Sequence, residues 1–403
     1  MMSGLPRKVT GGVLVALALL VLAACGPAAD TAPATAPDQS AQPTASPPPY
    51  LLPTVPITAE NANRVQLAGR LDAPGTNRSS LFASSFAPDG SALAALNNTL
   101  LFAWDLRTGR LLFTTERLGG TDVYFASDGS ELYVVQDNGT VRVHDLSGVE
   151  QNRFSGQTGY EGVSAYASGG GWLALGGQSG GVRIWQPAER RSIVTLAPSP
   201  APVVALAFSD DGERLAIASQ DSRVTVWDWA SETLLATFDH EGASISQVQF
   251  SPDGTRVLTG TLSYIALWSV PEDTLRYSLE IGEGGATGVL AVSPDGRYVV
   301  SGGRNAPLTA WQLEDGSLAG SLSEISGNRV AAAFSADGSL MATSLLDEGA
   351  QLWNLASASD QTIPGASLEM GTRRLTDVTF SPDGLRLAFF GVNGSVYLWG
   401  VVS

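Results

Sequence analysis

The sequence predicts an all-β protein in which one four-stranded antiparallel unit is repeated eight times. Three observations predict it: a pentapeptide related to Phe-Ser-Pro-Asp-Gly recurs at near-constant pitch, an aromatic residue follows each copy at a fixed distance, and short alternating apolar runs fill the space between. A charged fraction of only 15% over 403 residues suits many short strands joined by turns.

The copies are Phe86-Ala-Pro-Asp-Gly90, Phe125-Ala-Ser-Asp-Gly129, Tyr166-Ala-Ser-Gly-Gly170, Phe208-Ser-Asp-Asp-Gly212, Phe250-Ser-Pro-Asp-Gly254, Val292-Ser-Pro-Asp-Gly296, Phe334-Ser-Ala-Asp-Gly338 and Phe380-Ser-Pro-Asp-Gly384. Their first residues lie 39, 41, 42, 42, 42, 42 and 46 apart. Trp104, His144, Trp185, Trp227, Trp268, Trp311, Trp353 and Trp399 follow, each 18 or 19 residues on, so seven of the nine tryptophans share one repeat position.

Each part has a local cause. The residues before the pentapeptide alternate between small and apolar, as in Val204-Ala-Leu-Ala-Phe208, which suits a strand pressed between neighbours in a narrow interior. Pro fixes φ, Asp bonds its own backbone, and Gly accepts positive φ, so the chain reverses there. A second strand (Arg214 to Ser219), a polar turn, a third strand ending in Trp227 and a fourth from Leu234 to Phe238 complete the unit. One such unit cannot bury both its faces, so the units must stack around an axis as the blades of a propeller.

Over residues 58–403 these features resemble the WD40-repeat propellers. Trp104-Asp105 and Trp227-Asp228 keep that family's dipeptide, and His144-Asp145 keeps half of it. The resemblance implies interlocked closure. The last repeat stops at Trp399, three strands into its blade, and Arg64 to Leu71 has the pattern of the missing fourth strand. Eight blades are expected, with the N-terminal strand closing the last. Many members join a His, a Ser or Thr, an Asp and the Trp in a hydrogen-bonded tetrad. Here His240 sits near the His position, but its blade carries Leu262-Ser263 where the Asp would stand.

The first residues read as an address. Arg7 and Lys8 precede a wholly apolar run from Val13 to Ala24, too short to span a bilayer of roughly 30 Å but suited to a signal peptide. Leu22-Ala23-Ala24-Cys25 resembles a bacterial lipobox, which implies cleavage before Cys25 and a diacylglycerol on its sulfur. Cys25 is the sole cysteine and has no intramolecular disulfide partner. Gly26 follows, not the Asp that retains lipoproteins in an inner membrane. From there to residue 57 the composition is mainly Ala, Pro, Thr and Ser, which predicts an unfolded spacer rich in extended backbone. Three segments are therefore expected: a signal peptide over 1–24, a lipidated Cys and linker over 25–57, and the propeller over 58–403.

Composition excludes several functions. The net charge of −16 becomes −18 once Arg7 and Lys8 are removed, and nothing resembles a basic stripe for nucleic acid. Lys8 is the only lysine, so a mature chain has none for a Schiff base or a phosphate clamp. Two histidines and one cysteine argue against zinc clusters and Cys–His nucleophiles. The isolated Asp-Gly turns lack the converging oxygens that calcium needs. Gly177-Gln-Ser179-Gly-Gly181 matches a nucleophile-elbow pattern, but a strand follows where a helix is required, so it reads as a hairpin turn. Neither a metal nor a cofactor is expected, and the chain is not expected to be an enzyme.

What remains is surface. The loops joining fourth to first strands and second to third strands share one propeller face. They carry Arg117, Tyr160, Glu161, His240, Glu241, Tyr264, Arg304, Asn305, Asp347, Glu348, Arg373 and Arg374. Arginines and aromatics are the residue types that anchor interfaces. The reading is a membrane-tethered, extracytoplasmic scaffold that binds a protein or peptide partner through this face, held by lipid on Cys25. The alternatives are a soluble-ligand or glycan sensor using the central channel and, less favoured, a propeller-type hydrolase or lyase.

Overall fold

The computed structural model describes residues 50–74, 80–115, 119–157, 159–281, 287–303, 306–322, 330–345, 349–357, 365–368 and 374–402. They form eight four-stranded antiparallel sheets. Blade 1 spans Ala83 to Thr115, blade 2 Gly120 to Ser155, blade 3 Tyr160 to Leu196 and blade 4 Val203 to Asp239. Blade 5 spans Ile245 to Glu280, blade 6 Thr287 to Ser321 and blade 7 Val330 to Leu368. Blade 8 takes three strands from Leu375 to Val401 and its outermost strand from Val65–Asp72. The N-terminal strand therefore closes the ring as the repeat count requires.

The eight blades close on eight apolar clusters, each shared by two consecutive blades. This explains why second strands such as Ala92–Leu96 are buried at every position. Leu93 and Ala95 face blade 8, while Ala94 and Leu96 face blade 2. Fourth strands, outermost in each blade, alternate between exposed and buried, as in Thr233–Asp239. First strands of consecutive blades are neighbours and line the axis.

The Asp-Gly turn is a small polar knot. In blade 4, Ser209 Oγ donates to Asp211 Oδ1 and accepts from the backbone N–H of Arg214 at 3.0 Å, while Asp211 Oδ1 accepts from Glu213 N–H at 2.9 Å. The same knot recurs around Ser251, Ser293, Ser335 and Ser381. The Ser209 and Glu213 donors hold the Asp211 carboxyl below its ordinary value.

The repeat tryptophans are satisfied unevenly, and strand register explains how. Two residues along the second strand from the partner of each Trp stands a position that takes Thr259, Ser301 or Thr343 in blades 5, 6 and 7. Those hydroxyls accept from Trp268, Trp311 and Trp353 at 3.1, 3.0 and 3.0 Å. In blade 1 the position is Ala95, and Trp104 Nε1 is buried with no partner among the described residues. Ala95→Ser should supply that partner and raise stability by about 0.5–1 kcal/mol, read as a higher unfolding midpoint. An unchanged or lower midpoint would show that the site has no room for the hydroxyl.

Residues 50–57, assigned to the linker, lie on the propeller as a strap. Leu51 N–H bonds Ala68 O at 2.7 Å, Val55 bridges Val401, Ile57 N–H bonds Gly384 O at 2.8 Å, and Ile57 is buried between blades 7 and 8. The Tyr50 ring lies against Gly69 and Gly109, where a Cβ would meet Cδ2 at 2.6 Å, and its hydroxyl donates to Leu106 O. A Pro-rich composition concealed three apolar anchors, Tyr50, Leu51 and Ile57.

The two faces differ. Backbone bonds join first-to-second turns with third-to-fourth turns on one face, as from Val270 N–H to Thr255 O at 2.9 Å. On the other they join second-to-third turns with the fourth-to-first connections, as from His240 N–H to Ser222 O at 2.9 Å. The strap's bonds to Gly384 and Leu106 belong to the first face. His240, Glu241 and Tyr264 belong to the second.

A candidate partner-binding face

The structure divides the rim residues chosen from sequence. Arg117, Arg304, Asn305, Asp347, Glu348 and Arg373 lie outside the described residues, as does the Glu161 side chain. Arg374 is exposed at the entrance to blade 8. Tyr160 is not a rim anchor. It is 6% exposed, packs between blades 2 and 3, and sits 3.3 Å from Thr121 Oγ1, with burial pushing its phenol up to about 12. Topology placed Tyr160 on the correct face but could not show its depth.

His240, Glu241 and Tyr264 come together. With Asp239, Trp268 and Leu275 they wall an open cleft of about 450 Å³ at the outer part of blades 4 and 5. The chain leaves the fourth strand of blade 4 at Asp239 and reverses sharply. Glu241 takes φ +51° and Gly242 φ +88°, while Asp239 Oδ1 accepts from Glu241 N–H at 2.8 Å. Glu241 holds a left-handed conformation that glycine adopts far more readily, and this turn sets its carboxylate on the cleft.

His240 forms the cleft's inner wall and is 4% exposed. Its Nε2 lies 2.8 Å from Thr259 Oγ1, the hydroxyl that also accepts from Trp268. Three members of the family's tetrad are thus assembled in blade 5, and Leu262-Ser263 leaves the fourth place without its Asp. Burial lowers the His240 pKa, opposed by the Phe238 carbonyl, so the ring is neutral at pH 7. Phe238 stacks on Trp268 at 4.9 Å, and His240 lies parallel to Tyr264 at 6.2 Å. Tyr264 and Trp268 remain partly exposed to the cleft. Burial and the nearby Glu241 carboxylate raise the Tyr264 phenol. Asp239 is held below its ordinary value chiefly by the Glu241 N–H, with help from Arg223 at 3.4 Å.

Sequence reading placed Trp268 in the repeat series and noted the missing Asp, but not that its ring would line a cleft. The hairpin that carries Leu262-Ser263 leaves Leu262 57% exposed.

A second concavity, about 460 Å³, lies along the axis between the first strands of blades 2 to 6. Ser164 Oγ donates to Asp122 Oδ2 at 2.7 Å and lies 2.9 Å from the Tyr124 hydroxyl, with Gln247 and Gln249 also on the wall. Burial raises the Asp122 carboxyl against the pull of Ser164 and Thr121. Asp377, at the equivalent register of blade 8, is raised to about 6 by burial. Among the described residues no group of His, Cys, Asp and Glu is arranged to hold a metal, and no helix is long and apolar enough to cross a membrane.

Residues 190–228 and 232–269, the repeats that flank the cleft, match the family model described as WD domain, G-beta repeat. A stretch of 113 residues, 28% of this chain, is 27% identical to Periodic tryptophan protein 2 homolog of Neurospora crassa and spans 12% of that protein. The C-terminal WD40 domain of Sif2 superposes with a TM-score of 0.67 at 15% identity, over 84% of this chain and 99% of that one. The computationally designed Ika8 protein superposes with a TM-score of 0.66 at 18% identity, over 82% of this chain and 98% of that one. At these identities both structures bear on the fold alone.

Proposed function

For a chain that carries WD40 repeats on an eight-bladed propeller, we propose a scaffold that is anchored outside a bacterial cytoplasm by lipid on Cys25 and binds a protein or peptide through the face bearing His240, Glu241 and Tyr264. The observation that carries the binding reading is the cleft of blades 4 and 5. Aromatic rings and carboxylates meet there on a rigid support, and rigid aromatic anchors are what interfaces are built around. The anchoring reading is supported by Leu22-Ala23-Ala24-Cys25.

Two experiments test the parts separately. Cys25→Ala should move the protein from the membrane fraction to the soluble fraction after signal removal; persistence in the membrane would defeat the lipid anchor. Affinity co-purification from native membranes, read by mass spectrometry, should return one dominant partner that is lost on Tyr264→Ala. Photo- or carboxyl-reactive cross-linkers suit this chain because its only lysine is Lys8.

The axial concavity favours a second reading, a soluble polar ligand held by Asp122, Ser164 and Gln247. A thermal-shift screen in which a small molecule stabilises the wild type but not Asp122→Ala would support it over the scaffold.

A further inference from the structure

We propose that the cleft of blades 4 and 5 is a receptor for a guanidinium group, the side chain of an arginine in the partner. The inference rests on the scaffold reading and names the chemistry that this face selects.

Three features converge on it. Tyr264 and Trp268 present partly exposed aromatic rings to the cleft, and ring faces attract cations. Glu241 lines the same cleft, and its charge adds to burial in raising the Tyr264 phenol. Asp239 lies beside it, with Oδ1 occupied by Glu241 N–H and Oδ2 shared with Arg223, so Glu241 is the acidic group left for a ligand. His240 adds no competing charge: burial keeps it neutral while it holds Thr259 and, through Thr259, the Trp268 indole.

A flat cation fits this set better than a compact one. Guanidinium stacks flat on an aromatic face while presenting paired N–H donors in its own plane to a carboxylate, whereas ammonium is a point charge with neither a planar face nor paired parallel donors. An acidic aromatic cleft also repels acidic peptides, in keeping with a chain whose net charge is −16. The cleft is open enough for a side chain entering from a segment that lies outside it. Leu262, 57% exposed two residues from Tyr264, offers that segment an apolar contact.

The test uses the full chain, labelled with 15N at the tryptophan indoles. The Trp268 resonance is assigned by its loss in Trp268→Phe. The peptide Gly-Arg-Gly amide should shift that resonance in a saturable manner, Gly-Lys-Gly amide should bind more weakly, and Gly-Gln-Gly amide should leave it unmoved. Glu241→Gln and Tyr264→Ala should each weaken the arginine peptide about tenfold, whereas Glu213→Gln, an exposed acid on the opposite face, should not. An unmoved Trp268 resonance, equal binding of the glutamine peptide, or unchanged affinity in Glu241→Gln would overturn the proposal. The same variants separate it from the wider reading. A partner that still co-purifies with Glu241→Gln but is lost on Tyr264→Ala leaves the scaffold face standing and removes the arginine receptor. Arginine binding without any captured partner does the reverse.

Discussion

Replacing Arg386 with Met is expected to lower the unfolding free energy by about 3 kcal/mol, the scale for removing one partner from a buried, hydrogen-bonded charge. Arg386 directly precedes the second strand of blade 8, Leu387–Gly391, and its side chain is 5% exposed. It reaches across the seam to blade 1, where Nη1 donates to Gly90 O at 3.3 Å and Nη2 to Leu106 O at 3.1 Å, and it pairs with Asp383 at 3.3 Å. Gly90 sits at φ +69°, and a Cβ there would collide with the Asp383 carboxylate, so the two turns are in direct contact. Methionine keeps the apolar stem but removes the Arg386 donor from the Gly90 carbonyl and the cation from Asp383, while the Leu106 carbonyl keeps the Tyr50 hydroxyl. Arg214, at the same position in blade 4, donates to Gly254 O of the next blade but is only half-buried. Arg214→Met should therefore cost about 1 kcal/mol. Urea midpoints of the two variants would decide it, and equal losses would deny the seam its special weight.

Asp377→Asn is expected to stabilise the fold at pH 8 by about 2 kcal/mol and to do almost nothing at pH 4. Asp377 lies on the first strand of blade 8, on the side away from Val378 and its core cluster. Burial pushes its carboxyl up to about 6, and the N–H that it accepts from Val378 at 2.8 Å offsets only part of that. An unfolded aspartate titrates near 3.9. Between those values the folded chain binds the extra proton, so the stability this group supplies is complete below the unfolded value and is lost as pH rises through about 6. Asn removes the charge and with it the alkaline loss. The Asp-Gly turns act oppositely. Asp211 and Asp128 are held low by hydrogen bonds, so their contribution is present above the ordinary carboxylate range and lost as pH falls through their depressed values. Urea midpoints of wild type and Asp377→Asn at both pH values would check this, and an equal gain at pH 4 would refute the ionisation argument.

The sequence revealed the fold because each blade restates the same constraints. Phe208, Asp211, Gly212 and Trp227 have equivalents around the ring, and a count of repeats against strands forced Val65–Asp72 into the last blade. The Gly177 to Gly181 segment is the hairpin that its following strand required, with Gly180 N–H bonding Gly177 O at 3.1 Å. Features that occur once were harder to see. Tyr50 and Ile57 sit among prolines that signal an unfolded chain, yet their side chains find grooves that only the closed ring creates. Arg386 shares its turn position with Arg214 and Arg256, which marks it as recurrent but not as buried. For the candidate site, sequence named the face and three of the cleft residues. It mistook Tyr160 for a surface anchor and did not single out Trp268 as a cleft residue, because loop membership and repeat position fix where a residue lies around the ring but not how deep its side chain sinks.

The strap has a mechanical consequence. Tyr50 touches Gly69 of blade 8 and Gly109 of blade 1, and its hydroxyl shares the Leu106 carbonyl with Arg386. Any tension along the chain ahead of Tyr50 is therefore delivered first to the seam, and only then to the strand that completes blade 8. Forced opening is governed by an unfolding rate rather than by equilibrium stability. The strap places a half-buried ring and several main-chain bonds in series ahead of that strand, so a pull that frees residues 50–57 can be absorbed before the propeller loses its circle.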